Sequence, residues 1–390
     1  MKQLMHSFLV FIACFGALYS KNNKCNENNY HMNLERLQTI DTVVNTAIKN
    51  KELPGAVVLV GCHNQIIYHK AFGNRTVQPS IDPMVKDTIF DIAFLTKIFT
   101  ALAVVKLAEQ GLIRINTPVA TYIPEFGKNG KEKITIEQLL LHSSGLIADN
   151  PEEEYANGYA KAFENICNLS PLQEPGTKFV YSDVGYIVLG ELVQRISGQS
   201  LGAFMHKYIF KPLGMPDTMF LPPASLRSRI APTEQRNGTW MQGEVHDPRA
   251  YALGGIAGHA GLFSTTRDLA KVCWMILDNG FEKERSLFSP LSIECMNRPR
   301  IIGTTNLRGL GWDIATDYSS YRGDFFAVGA IGHSGFTGTS MVIDLATRTF
   351  IIILSNRVHP DGKGNVVALR AKIANVVAGS LTAVKSCDES

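Results

Sequence analysis

The chain has 390 residues, 38 of them Lys or Arg and 35 Asp or Glu, for a net charge of +3. Hydrophobic residues make up 45% and charged residues 19%, below the roughly 25% charged share of an average globular protein. A chain this apolar is not disordered, and it has no basic excess to neutralise nucleic-acid phosphates. Seven cysteines without a C-x-x-C pair exclude a disulfide scaffold and give no zinc or redox signature. Length alone suggests two or three domains of roughly 150 residues.

The first element is an apolar run, Ser7 to Leu18, behind a short start that carries Lys2. A basic start, about a dozen apolar residues and then a polar stretch read as a secretory signal peptide over residues 1–20. The run is shorter than the roughly 20 residues a spanning helix needs, so no stable membrane span is expected after cleavage. The expected location is periplasmic or secreted. Cys14, behind Ile12 and Ala13, leaves lipid anchoring as an alternative. Residues 21–33 form a polar segment, a single domain spans 34–380, and 381–390 is a tail. In an oxidising space Cys25 and Cys387 could pair. Cys62, Cys167, Cys273 and Cys295 sit in apolar stretches as small hydrophobes. Asn74, Asn168 and Asn237 begin N-x-[ST] triplets, relevant only in a eukaryotic secretory host.

Apolar residues at helical spacing predict a helix over 34–49. Strands follow at 56–61 and 65–71 around a turn at His63-Asn64. Helices are predicted at 92–110, 136–141, 186–196 and 265–277, with Gly111 and Gly198 as stop signals. The period then returns to that of strands at 325–332, 339–345 and 349–355. The continuous apolar run at 351–355 suits a strand covered on both faces. A helix over 365–378 closes the chain. This order predicts an α/β (α+β) fold, with an antiparallel sheet assembled from both chain ends, flanked by helices, and a mostly helical region inserted between. No internal repeat or long Pro/Gly/Ser linker argues for tandem modules.

No Ser has Gly at both −2 and +2, and there is no H-E-x-x-H, P-loop or dinucleotide fingerprint. Neither metal nor cofactor is called for. His142, His246 and His259 show no ligand spacing, which favours structural hydrogen bonding. Three segments stand out instead: FDIAFLTKIFTALAVVKLAEQG at 90–111, FVYSDVGYIVLG at 179–190 and GHSGFTGTSMVIDLATRTFIIILSNRVHP at 332–360. LLLHSSGL at 139–146 and HDPRAYALGGIAGHAGLFSTTRDLA at 246–270 join them.

In order and spacing these five blocks resemble the serine β-lactamase and penicillin-binding protein superfamily, on its class C and esterase side. The resemblance is to low-molecular-weight, penicillin-binding-protein-like members and runs from about Leu34 to Gly379. It implies acyl transfer by three motifs. In S-x-x-K the Ser is the nucleophile and the Lys lies on the same helix face three residues on. The Tyr of Y-x-N helps take the Ser proton, as a phenolate or poised by the nearby Lys. The third motif, on a strand, lines the substrate, and two backbone N–H groups form an oxyanion hole.

Carried onto this sequence, Lys97 matches the first motif and Tyr181 the second, with Asp183 in place of the usual Asn. His333 and Gly335 match the third, and Phe336 N–H is the second oxyanion donor. Read alone, Asp183 would be an N-cap of the following helix. The nucleophile position holds Phe94, which cannot form an acyl-enzyme. Thr96 is turned about 100° from Lys97 on a helix, and neither Ser182 nor Ser334 starts a helix facing it. The expectation is therefore a catalytically impaired or inactive member. Its cleft of Phe94, Lys97, Tyr181, Asp183 and His333 would still accept a small-molecule or peptide acyl ligand of peptidoglycan-like type. The alternative is an active serine hydrolase of esterase, β-lactamase or D-Ala-D-Ala peptidase type, if Phe94 is a sequence error or another residue substitutes. The sequence names neither substrate nor oligomeric state.

Overall fold

The computed structural model describes residues 30–282 and 285–383. The expected signal segment, Cys14, Cys25 and Cys387 lie outside these residues. Nine strands form one antiparallel sheet. In chain order they are β1 (Gly55–Cys62), β2 (Gln65–Thr76), β3 (Asp82–Pro83), β4 (Arg300–Ile302), β5 (Asn306–Arg308), β6 (Asp313–Ala315), β7 (Ile331–Ser334), β8 (Ser340–Asp344) and β9 (Thr349–Ser355). Their spatial order is β4-β5-β6-β7-β8-β9-β1-β2-β3. The N-terminal hairpin thus joins the C-terminal strands through β9 and β1, with Ile351 opposite Val60. His63 and Asn64 turn the hairpin with positive φ, which a two-residue turn of this kind needs.

All residues of β1 and β9 are buried. Alternate side chains serve two cores. Ala56, Val58, Val60, Ile351 and Ile353 pack with α1 (Thr39–Lys49) and residues Leu369, Ile373 and Val377. Val57, Leu59, Ile352 and Leu354 face the inserted region, including α2 (Thr96–Glu109), α3 (Asp183–Ser197) and α4 (Thr266–Leu277). A buried Ile, Leu or Val contributes about 1.5–3 kcal/mol in such a place. The last helix, α5 (Val367–Ser380), lies on the first face. Among the described residues no helix is long and apolar enough to cross a membrane.

Several local readings change. The first helix breaks at Gln38 into Leu34–Leu37 and Thr39–Lys49. Residues 325–330 are not strand; β7 starts only at Ile331, and Phe325 and Val328 are 68% and 53% exposed. The run is apolar but lacks a partner in the main sheet until Ile331 pairs with Ile343. Strands β4 to β6 were not foreseen. Tyr30–Met32 pairs with Leu381–Ala383, so the segments assigned as 21–33 and 381–390 each contribute a short strand. Cys62, Cys167 and Cys273 are buried free thiols, and Cys295 is half-buried.

Candidate active site

The turn into α2 carries the first motif. Ala93 sits at φ +46°, a left-handed conformation uncommon for a residue with a Cβ. Its N–H donates to Asp91 Oδ1 at 2.8 Å, and the other carboxylate oxygen accepts the His246 N–H at 2.7 Å. Asp91 therefore holds a strained turn, and burial raises its pKa. A 3-10 turn over Ala93–Leu95 leads into α2, which sets Phe94 at the helix start and Lys97 in the first turn.

The third motif is tied to the same turn. Thr337 Oγ1 donates to the Asp91 carbonyl at 2.8 Å, and Thr339 Oγ1 to the Ile92 carbonyl at 3.0 Å. Gly335 permits this approach, because a Cβ there would stand 2.6 Å from the Ile92 carbonyl. Among the described residues, neither Phe94 N–H nor Phe336 N–H donates to another protein group. Both remain available as the expected oxyanion donors.

Tyr181 is placed by the loop around His142. Val180 N–H donates to the His142 carbonyl and Ser182 N–H to His142 Nδ1, each at 2.9 Å. The imidazole stacks on the Tyr181 ring at 4.3 Å. The cap of α3 is Ser182, whose Oγ accepts the Gly185 N–H; Asp183 is the next residue and not the cap. Ser182 Oγ also donates to the Ile147 carbonyl. Thr96 Oγ1 accepts the Leu262 N–H. Both hydroxyls have structural partners away from Lys97.

Lys97 is 0% exposed and forms the centre of the group. Its ammonium is 2.5 Å from Asp183 Oδ1 and donates to Tyr181 Oη at 2.8 Å. The Phe94 ring lies 3.8 Å from Lys97 Nζ and the Tyr181 ring 4.4 Å from it. Burial lowers the Lys97 pKa and the Asp183 carboxylate opposes that shift. Tyr181 Oη is 3.4 Å from His333 Nε2, and His333 Nδ1 lies 2.9 Å from the Ser334 carbonyl. Nδ1–H donates to that carbonyl, so Nε2 is left to accept from Tyr181. Burial, followed by the charge of Asp183, raises the Tyr181 pKa well above that of a free phenol. This direction favours the phenol over the phenolate, with Lys97 donating to its oxygen. Burial and then the charge of Lys97 lower the His333 pKa well below 6.5.

A second layer behind Lys97 was missed in the sequence. Asp247 Oδ1 accepts the Ala250 N–H at 2.8 Å and lies 2.9 Å from His259 Nε2. Asp183, Asp247 and His259 offer atoms within 4.8 Å of one another. Burial works to raise the Asp247 pKa, but His259 and the Ala250 N–H outweigh it, and the net shift is downward. Lys97 already supplies the cation to this group. His246, the other histidine of that block, instead meets Glu234 at 2.6 Å.

The cleft in front has a volume of about 660 Å³ and is lined by Phe94, Tyr181, Asp183, His333, Gly335 and Phe336, among others. Lys97 does not line it; Phe94 and Tyr181 stand in front of it. The arrangement retains a cation, a phenol, an imidazole acceptor and two free N–H groups. It holds no nucleophilic oxygen at position 94.

Comparison with known proteins agrees with this fold. The Beta-lactamase family model matches residues 40–375. A protein of Escherichia coli K12 described as a "Putative D-alanyl-D-alanine carboxypeptidase" is 32% identical over 367 residues, covering 84% of this chain and 83% of its own length. An N-acetylmuramyl-L-alanine amidase of Bacillus subtilis strain 168 is 29% identical, over 83% of this chain and 82% of its own. Among solved structures, EstCE1, a hydrolase with promiscuous acyltransferase activity, shares the fold with a TM-score of 0.73 at 21% identity. That match covers 89% of this chain and 99% of EstCE1.

Proposed function

The chain belongs to the beta-lactamase family, and from that premise we propose that it binds an acyl or peptidoglycan-like peptide ligand without forming an acyl-enzyme. One observation carries the proposal: the Phe94 ring covers the Lys97 ammonium at 3.8 Å, where the family mechanism needs a Ser hydroxyl. A phenyl ring has no lone pair to attack a carbonyl and no proton for Tyr181 to take. It also fills space that an acyl carbonyl would occupy beside the two N–H donors. The apolar run at 7–18 supports export, which would bring the cleft to extracytoplasmic acyl compounds.

Labelling tests the reading. Wild-type protein incubated with a fluorescent penicillin, or with a fluorophosphonate, should show no covalently labelled band. A labelled Ser peptide from the wild type would overturn it.

A second reading is favoured by how much of the machinery is intact. The strained Ala93, the Lys97–Tyr181 bond and the Gly335 approach are all present. A Ser at position 94 would make this an active serine hydrolase, and Phe and Ser codons can differ by a single base. Sequencing codon 94 from the source DNA decides between the two.

A further inference from the structure

A second hollow, of about 490 Å³, shares no lining residue with the cleft. One wall is a small hairpin outside the nine-stranded sheet, in which Gln235–Arg236 pairs with Thr239–Trp240. Asn237 and Gly238 turn it with φ of +51° and +76°, the conformation a two-residue hairpin turn needs. The hairpin presents Trp240, half-buried, to the hollow, and Tyr251 lines it too with 46% of its surface exposed. Both rings are held in place. The edge of His359 packs on Trp240 at 4.7 Å between centroids, and the Arg236 guanidinium lies 4.0 Å from the Tyr251 ring centre. Large aromatic rings fixed at a concave surface are ligand-binding features more often than packing features.

The polar groups between the rings are fixed as well, each with bonding capacity to spare. Gln242 Nε2 donates to the Arg227 and Ile230 carbonyls at 3.0 and 2.9 Å, which leaves Oε1 as an acceptor. Glu244 Oε1 accepts from Arg236 at 2.6 Å, which leaves Oε2. Arg236 and Glu244 also neutralise each other, so the middle of the hollow carries little net charge. Asn237, Thr239 and Arg227 stand exposed around the rim. Flat apolar faces therefore alternate with groups that donate and accept. A pyranose ring has the matching chemistry, with C–H groups on its faces and hydroxyls around its edge. A proline-rich peptide, the other common occupant of aromatic grooves, would leave those polar groups without partners.

We propose that this hollow is a saccharide-binding site, with Trp240 and Tyr251 as stacking platforms and Gln242 and Glu244 as acceptors for hydroxyl groups. The proposal goes beyond the reading of the cleft and does not rest on it. The two sites are nonetheless neighbours across one stretch of chain. Arg236 donates to the Val245 and His246 carbonyls from the side of the hollow. The His246 ring stacks on Phe336 of the cleft at 5.5 Å.

Calorimetry on the full chain with three probes tests the assignment: N,N′,N″-triacetylchitotriose, maltotriose and deca-proline. Wild type should bind at least one trisaccharide with a Kd of about 1 mM or tighter. Trp240→Ala and Tyr251→Ala should each weaken that binding about tenfold, and Trp240→Phe should keep part of it. Binding of neither trisaccharide overturns the proposal, and so does binding of deca-proline in their place. Trisaccharide binding that both alanine variants leave unchanged also overturns it, because the sugar then sits elsewhere. If Trp240→Ala does not fold by circular dichroism, Tyr251→Ala, at an exposed ring, decides. Covalent labelling at the cleft is read separately, so failure here leaves that reading standing.

Discussion

The Phe94 ring and the Lys97 ammonium are 3.8 Å apart, three residues distant on one turn. With Asp183 and Tyr181 on its other sides, Lys97 is enclosed by a carboxylate, a phenol and an aromatic face. The Phe that removes the nucleophile therefore also helps stabilise the cation left behind. A cation over an aromatic face contributes about 0.5–2 kcal/mol when desolvated. Phe94→Leu should lower stability by about 1–2 kcal/mol in urea unfolding. The loss should shrink when Lys97 is already Met. Full additivity of the two changes would show that the ring and the ammonium do not interact.

Asp183 bears most of the charge balance at Lys97. Removing one partner of a buried ion pair costs about 3–5 kcal/mol, whereas replacing both can be near neutral. Asp183→Asn should thus destabilise the protein by about 3 kcal/mol or more. Lys97→Met combined with Asp183→Leu should cost clearly less than the sum of the two single changes. A double-mutant cycle on unfolding free energies measures this.

Acid sensitivity follows from the buried histidines. His333 has a pKa well below 6.5 in the folded state and near 6.5 when unfolded. The unfolded chain therefore binds more protons as pH drops below about 6.5, and stability contributed by the neutral imidazole is present above that pH and lost below it. Each such group adds a slope of up to about 1.4 kcal/mol per pH unit. Denaturant unfolding from pH 7 to pH 5 should show a shallower slope for His333→Gln than for wild type. Identical slopes would place the His333 pKa at its ordinary value.

The legible part of this site lies on regular elements. Lys97 and Tyr181 precede or open long apolar helices, and His333 ends a strand, so motif order and periodicity located them. Strand β9 matched its expected bounds because the short, β-branched apolar run at 351–355 suits a strand covered on both faces. Strands β4 to β6 escaped because three-residue strands are too short to display alternation. Residues 325–330 misled for the opposite reason: they are apolar but find no pairing partner. Read alone, Asp183 suggests a helix cap because Asp and Ser cap equally well; the cap is its neighbour Ser182, and Asp183 pairs with Lys97. Asp247, His259 and Arg308 join the site through long-range packing. Asp247 caps a five-residue helix, Pro248–Ala252, too short to show a period, His259 sits in a Gly-rich loop, and Arg308 lies on a strand too short to read.

One side chain decides whether an acyl-enzyme can form, and intact-protein mass spectrometry reads its effect directly. Phe94→Ser should place a hydroxyl in the turn that leads into α2, beside Lys97 and near the N–H groups of position 94 and Phe336. Incubated with a penicillin, this variant should gain the mass of one β-lactam per chain, while wild type under the same conditions gains none. A folded Phe94→Ser protein that stays at its original mass, or a wild-type protein that acquires the adduct, would contradict the account.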